Sequence, residues 1–307
     1  MGRIAFAGLA CAVLLCGCTT TNVTQTSPGK ITVVATTTQM QDLVRNVGGS
    51  HVNLVGILEP NVDPHDFEPT PSTAIALAES SLVVESGIGV DSWADDLVKS
   101  AAPDTPVFVA SEGLLIRSGD EAEPDGDPHW WHDPTLYRQV ITELGDRLAS
   151  IDPEHAADYG RNAVRYVTAV RQMDEDNSRL IATVPASERK LVTNHDAFGY
   201  LADHYGITVV GSVIPSLSTA AEPTAGDLAK LIDRIKAEHV RAIFTESSLN
   251  PALEEQIAAD ANVKVYANLY SDTLGPAGSP GATYIGMERW NMRALVAGFT
   301  GGPPPQE

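Results

Sequence analysis

Beyond residue 18 the chain has no cysteine: Cys11, Cys16 and Cys18 are the whole complement in 307 residues. Disulfides and thiolate metal sites are therefore excluded from the rest of the chain. Basic residues are also scarce, 20 against 40 acidic, for a formal net charge of −20. Such a chain has no Lys/Arg surface to replace counterions on phosphates, which excludes sequence-independent nucleic-acid binding. Nor has it a basic face for anionic lipid. After the N-terminus no apolar run reaches membrane-spanning length. What is present is 43% hydrophobic residues, enough for sizeable cores, in a length that allows one large domain or two ordinary ones.

The first residues, MGRIAFAGLACAVLLCGC, carry one basic residue, Arg3, then an apolar run from Ile4 to Cys16. The run is short for a membrane span and has the layout of a secretory signal. Leu15-Cys16-Gly17-Cys18 resembles the bacterial lipoprotein box, which makes residues 1–17 a signal peptide and Cys18 the lipidated mature N-terminus. The alternative is an uncleaved anchor helix. Removing 1–17 takes away one basic residue and no acid, so the charge of −20 becomes −21. Residues 18–29 are polar and without hydrophobic period, and are expected to form a flexible tether.

From Lys30 onward β-branched runs alternate with helical patterns. Strands are expected at 31–36, 51–57, 82–86 and 106–110, separated by helices at 39–49, 72–80 and 91–101. A second set has strands at 190–193, 207–213, 241–246 and 263–269, with helices at 196–206, 224–239 and 251–261. This alternation predicts an α/β fold of two lobes, each a mainly parallel sheet with flanking helices. Between them Asp152-Pro153 reads as N-cap and N1 of one long helix running to Val184 and stopped by Pro185. Over 153–183 it rises about 46 Å, at about 1.5 Å per residue. Val164, Val167, Val170, Met173 and Leu180 are its expected apolar stripe. The predicted units are thus a lobe at 30–152, a bridging helix at 153–184, a lobe at 185–302 and a tail at 303–307.

Ligands in open α/β sheets gather at the carboxyl ends of strands. There this sequence places His65 in EPNVDPHDFEPTPS, His129 and His132 in GDPHWWHDPT, Asn194-His195-Asp196, and Ser271-Asp272. Imidazoles and carboxylates without sulfur suit a borderline divalent cation such as zinc. Because Asp133 and Pro134 read as N-cap and N1 of the next helix, His132 precedes it and is expected to face solvent. His204, nine residues after His195, falls on the opposite helix face at about 100° per residue. His51, His155 and His239 read as surface, and the acidic loop 118–127 as solvated and mobile, with a capacity to gather cations near His129.

EPNVDPHDFEPTPSTAIALAESSLVVESGIGVDSW resembles the signature of the zinc/manganese-type solute-binding proteins of bacterial ABC transporters. That signature is a Pro-Gly-x-Asp-Pro-His-x-Tyr-Glu-Pro-x-Pro core followed by a Gly-x-Gly-x-Glu-x-Trp turn. Asn61, Phe67 and Asp91 replace its glycine, tyrosine and glutamate. DPHWWHDP, TNHDAFGYLADHYGI, STAAEPTAGDLAKLIDRIKAEHVRAIFTESSLNP and GATYIGMERWN resemble its later motifs, in order. The resemblance implies two lobes bridged by a long helix and the metal ligands His65, His129, His195 and Asp272. Histidine at the third position implies similarity to zinc members, where manganese members carry glutamate. The short acidic loop stands where many zinc members have a histidine-rich one.

The resemblance and the residues together imply an extracytoplasmic, lipid-anchored, monomeric receptor of high zinc affinity, with manganese as the alternative ion. It would touch the membrane only through its anchor and deliver metal to a permease driven by a cytoplasmic ATPase. A more remote alternative is a zinc-dependent hydrolase or chelatase with Glu246 as general base, and a third is an adhesin. Four protein ligands close a zinc site, whereas a catalytic one keeps a position open for water. The receptor reading predicts affinity that collapses in His65→Ala or His195→Ala and falls below about pH 6.5 as the histidines protonate. Pro, Gly and Ser in 211–226 suggest a loop that moves on release.

Overall fold

The computed structural model describes residues 29–305 apart from Ala122, so the expected signal peptide, Cys18 and nearly all of the expected tether lie outside the described residues. The first sheet is built from β1 (Ile31–Ala35), β2 (Val52–Gly56), β3 (Leu82–Glu85) and β4 (Val107–Val109), in the order β2-β1-β3-β4. All its pairs are parallel, with Ile31 opposite Val52, Val33 opposite Leu82 and Val83 opposite Val107. The alternation of a strand sends Val33, Ala35, Leu82 and Val84 into one core, and Val34 and Val83 into another with Leu77 and Val98. Both faces are therefore covered, as parallel sheets require. Helices α1 (Thr38–Gly48), α2 (Pro71–Ala78) and α3 (Trp93–Ala101) make the crossovers, Leu77 and Val98 being their contributions from α2 and α3.

α4 (Pro134–Ile151) starts as its sequence predicts: Asp133 accepts a hydrogen bond from Thr135 N and Pro134 occupies the first turn. The bridging helix differs from expectation at its start. Residues 153–155 form a 3₁₀ turn, and α5 proper is Ala156–Ile181, 26 residues and about 39 Å long at about 1.5 Å per residue. Asp152 does not cap it through its side chain. Its carboxylate accepts from Tyr159 Oη and lies on His155 Nδ1 instead. The apolar stripe is also rotated from the one predicted: Tyr159, Ala163, Tyr166, Val170, Met173 and Ile181 are buried, while Val164 is 69% exposed. Tyrosines and an alanine, weakly apolar on paper, hold the packed face.

In the second lobe β5 (Lys190–Thr193) pairs in parallel with β6 (Thr208–Ser212), and β7 (Ala242–Glu246) with β8 (Lys264–Leu269), β5 lying beside β7. α6 (Gly199–Tyr205), α7 (Ala225–Ala237) and α8 (Ala252–Ala261) connect them. Val192, Val210 and Ile243 pack on Leu231 and Ile235 of α7 and Ile257 of α8. Leu191 and Phe244 face the other way, onto Met292, Leu295 and Phe299 of α9 (Tyr284–Thr300), a helix absent from the predicted set. The lower half of α9 leaves this lobe for the first: Tyr284, Met287 and Trp290 share a core with Tyr137, Trp131 and Val170. Tyr284 stacks on Tyr137 at 3.5 Å between ring centroids. The lobes are thus joined by apolar packing as well as by α5.

Candidate metal centre

Two ligand-type histidines are presented by the same tripeptide. In Asp63-Pro64-His65 and Asp127-Pro128-His129, the aspartate Oδ1 accepts a hydrogen bond from the histidine N two residues on, at 2.9 and 3.0 Å. This local turn sets each histidine at the end of a loop, the first after β2 and the second after β4. The two aspartates then diverge. Asp63 uses Oδ2 to accept from Thr219 Oγ1 of the second lobe, whereas Asp127 Oδ1 also lies 2.8 Å from Nδ1 of its own His129.

From the second lobe, His195 follows β5 and Asp272 follows β8. Glu246, ending β7, accepts from Asn194 N and His195 N through Oε1, both at 3.1 Å, while Ser271 Oγ donates to Oε2 at 2.6 Å. Trp131 Nε1 donates to Ser271 O across the lobe boundary. These bonds bring His65, His129, His195 and Asp272 together, one ligand-type atom from each lying within 4.8 Å of the others. His129 Nε2 is 3.1 Å from Asp272 Oδ1, and His195 Nε2 is 3.3 Å from Asp272 Oδ2. His65 Nε2 is buried without a hydrogen-bond partner.

Each imidazole has a carboxylate at its other nitrogen. Asp127 stands at 2.8 Å from His129 Nδ1, Glu246 at 2.9 Å from His195 Nδ1 and Glu123 at 3.6 Å from His65 Nδ1. A hydrogen-bonded outer carboxylate, as Asp127 is to His129, fixes the tautomer and aims the Nε2 lone pair inward, whereas Glu123 stands beyond hydrogen-bond distance of His65. Burial disfavours charge on His129, but its hydrogen bonds with Asp127 and Asp272 outweigh that and raise its pKa to about 9. For His195 burial is likewise overcome, by Glu246 and Asp272, and its pKa lies well above the ordinary value. Asp272 is buried too, yet the neighbouring His195 and His129 hold its carboxyl well below the usual carboxylate range. Three imidazole nitrogens and a carboxylate oxygen converging without sulfur make a donor set for a borderline divalent cation.

The structure corrects several expectations. His132 does not face solvent: the 3₁₀ turn Trp130–His132 curls it inward, fully buried, with Nδ1 2.8 Å from Glu288 of α9. His204 does lie apart from the cluster, but for another reason than helical periodicity, because His195 precedes α6 and shares no helix with it. His204 is held between Asp133 and Asp174. His51 and His155 are half-buried and stack on each other at 3.9 Å, leaving His239 as the exposed one of that trio. The acidic loop is not simply solvated. Asp127 is buried, Glu123 faces His65, and Asp120 accepts from Ser216 Oγ and Leu217 N in the second lobe. The same contacts tie down part of the 211–226 segment.

The departures from the family signature find physical equivalents. Asn61 has φ of 64°, the left-handed region that glycine favours and asparagine tolerates, and its N donates to Thr273 Oγ1 beside Asp272. Phe67 packs on Trp93 at 4.7 Å. Asp91 is buried and accepts from Thr36 Oγ1, Ser86 N and Gly87 N. Glu123 and the orienting use of Asp127 and Glu246 were missed by sequence reasoning. The repeated Asp-Pro-His was the available signal for Asp127. No local pattern marks the other two.

Two α/β lobes bridged by one long helix, with these donors gathered at their boundary, define the class of metal-binding substrate receptors of ABC transporters. Within it, the family described as ZnuA: Zinc-uptake complex component A periplasmic matches residues 33–298, and the chain belongs to that family. It is similar to the manganese-binding lipoprotein MntA of Bacillus subtilis, 30% identical over 303 residues that cover 94% of this chain and 98% of that protein. It is 25% identical to the manganese ABC transporter substrate-binding lipoprotein PsaA of Streptococcus pneumoniae over 296 residues, 93% of this chain and 94% of that one. Among solved structures, the periplasmic zinc binding protein TroA from Treponema pallidum is similar with a TM-score of 0.82 at 29% identity, covering 88% of this chain and 99% of that one. The family is one of solute-binding receptors, not of enzymes. No helix among the described residues is long and apolar enough to cross a membrane.

Proposed function

We propose that this chain is a zinc receptor whose ligands are His65, His129, His195 and Asp272. The observation that carries the reading is the convergence of three imidazoles on one carboxylate, each imidazole backed by a carboxylate of its own. Zinc takes nitrogen donors readily, whereas manganese suits sites richer in carboxylate, carbonyl and water oxygen. Four protein donors close the coordination shell and hold the ion instead of activating water. The buried, unpartnered Nε2 of His65 is the kind of atom that a bound cation satisfies.

The ion would be captured outside the cytoplasm and passed to a membrane permease driven by a cytoplasmic ATPase. Cys18 would carry the lipid anchor, a role supported by Leu15-Cys16-Gly17-Cys18 and by the lipoprotein names of MntA and PsaA. The working units are a monomer's two lobes, 30–152 and 185–302, with the bridge at 153–184. Manganese is the second reading, favoured by the names of those two relatives. Metal analysis of chain purified without added metal, followed by zinc–manganese competition, tests both. Zinc outbinds manganese at most nitrogen–oxygen sites whatever their cargo, so competition only ranks affinities. The deciding readout is the ion carried by chain purified from cells supplied with both metals: zinc is expected, and manganese there overturns the zinc assignment.

A further inference from the structure

The four donors are not held alike. His129, His195 and Asp272 form a mutually contacting seat: Asp272 spans the two Nε2 atoms at 3.1 and 3.3 Å, and those Nε2 atoms lie 3.3 Å apart. All three residues are buried and flanked by core side chains, Trp130 and Trp131 beside His129, Ala197 and Phe198 beyond His195, Tyr270 and Leu274 around Asp272. Their outer carboxylates are buried as well, Asp127 and Glu246 standing at 2.8 and 2.9 Å.

His65 has a side chain as buried as theirs, 2% exposed, but differs in its partners and its support. Its Nε2 makes no hydrogen bond to the seat, and its outer carboxylate, Glu123, is 3.6 Å away and 14% exposed. It rides on a three-residue 3₁₀ turn flanked by exposed Asp66, Glu68 and Pro69. The loop from 59 to 70 contributes no side chain to the apolar clusters of its lobe. Segments with few apolar contacts open first. A ligand on such a segment is the first to leave an ion and the last to close on it.

We propose that His65 is the exchange ligand of the centre: the ion meets the seat of His129, His195 and Asp272, then His65 closes, and release begins by its withdrawal. Glu123 is the positioning residue that sets how long His65 stays closed, by holding Nδ1 from outside. The inference rests on the receptor reading and adds to it a division between capture and retention. Affinity falls in both His65→Ala and His195→Ala, for different kinetic reasons.

The test follows zinc association with the whole chain, and zinc release to a chromogenic chelator, by stopped flow. Glu123→Gln is expected to release zinc about tenfold faster, with association within about twofold of the wild type, taking the lower end of the effect of an outer ligand partner. Glu123→Asp, which keeps a carboxylate, falls between the two in release rate. His65→Ala keeps wild-type association and loses retention, whereas Asp127→Asn, which disturbs the seat, changes both rates. Unchanged release in Glu123→Gln, or association slowed by the same factor as release is hastened, overturns the proposal while zinc binding by the wild type stands. A wild-type chain that captures neither zinc nor manganese overturns the receptor reading beneath it.

Discussion

Glu246 stands behind His195, with Oε2 2.9 Å from Nδ1, on the side of the ring away from Asp272, which lies 3.3 Å from Nε2. A general base must reach the water it activates. This carboxylate is instead committed to His195, to two backbone N–H groups and to Ser271 Oγ. The hydrolase reading thereby loses its base, and Glu246 becomes an orienting group. Glu246→Gln is expected to weaken zinc binding about 10- to 100-fold, measured by competition with a chelator of known affinity. Undiminished affinity would show that His195 is aimed by something else.

On the proposed ligation, a bound cation has to displace the proton that Asp127 and Asp272 hold on His129 up to about pH 9. An ordinary imidazole loses its proton near about 6.5. Competition from protons therefore begins near pH 9, well above the value expected from unperturbed histidines, and zinc affinity falls as pH drops from there. Calorimetry at pH 7.5 in two buffers of different ionisation enthalpy is expected to show at least about one proton released per ion. Without added metal the same proton stabilises the fold, fully below about pH 6.5, and that contribution is lost as pH rises through about 9.

His204 links Asp133 at the start of α4 to Asp174 in α5, at 3.1 and 2.8 Å. Burial lowers its pKa, but hydrogen bonds to Asp133 and Asp174 prevail and raise it to about 9. Its stabilisation is complete below about pH 6.5 and disappears as pH rises through about 9. Partial exposure screens the pair, so His204→Gln is expected to cost about 1–2 kcal/mol at pH 6. Thermal melts of both proteins from pH 6 to 9.5 are expected to converge at the alkaline end. A gap that does not narrow argues against the charged pair.

His132 and Glu288 form a fully buried pair, 2.8 Å apart, between the ligand loop and α9. Removing one partner strands the other in an apolar surround, while replacing both restores a matched core. His132→Leu alone is expected to destabilise by about 3–5 kcal/mol. The double variant His132→Leu, Glu288→Met is expected to recover most of that loss in urea melts. Additive losses would mean that the two do not act as a pair.

Much of the scaffold was readable along the chain. Runs such as Ile31–Ala35 and Ala242–Glu246 are β-branched, bounded by helical segments, and became parallel strands. The four residues that converge, His65, His129, His195 and Asp272, stood out because each follows a strand and lies in a motif. The first turn of the bridging helix was misread because Asp152 found Tyr159 and His155, a competition between side-chain partners that N-cap preference does not describe. The burial of His132 was unreadable, since Glu288 lies 156 residues away.

By itself the sequence determined the strand–helix alternation, the absence of sulfur at the site and the shortage of cations, because these depend on residue type and near neighbours. It also presented His65 and His129 through one local turn, Asp-Pro-His. Only the tertiary structure decided which carboxylate stands behind each histidine, and how firmly. Glu123, Asp127 and Glu246 are all acids in a chain rich in acids, and nothing in their spacing ranks them. Burial and distance rank them: removing water strengthens a charge pair, and core packing holds it in place. That grading leaves His129 and His195 fixed on Asp272, with His65 the looser fourth donor.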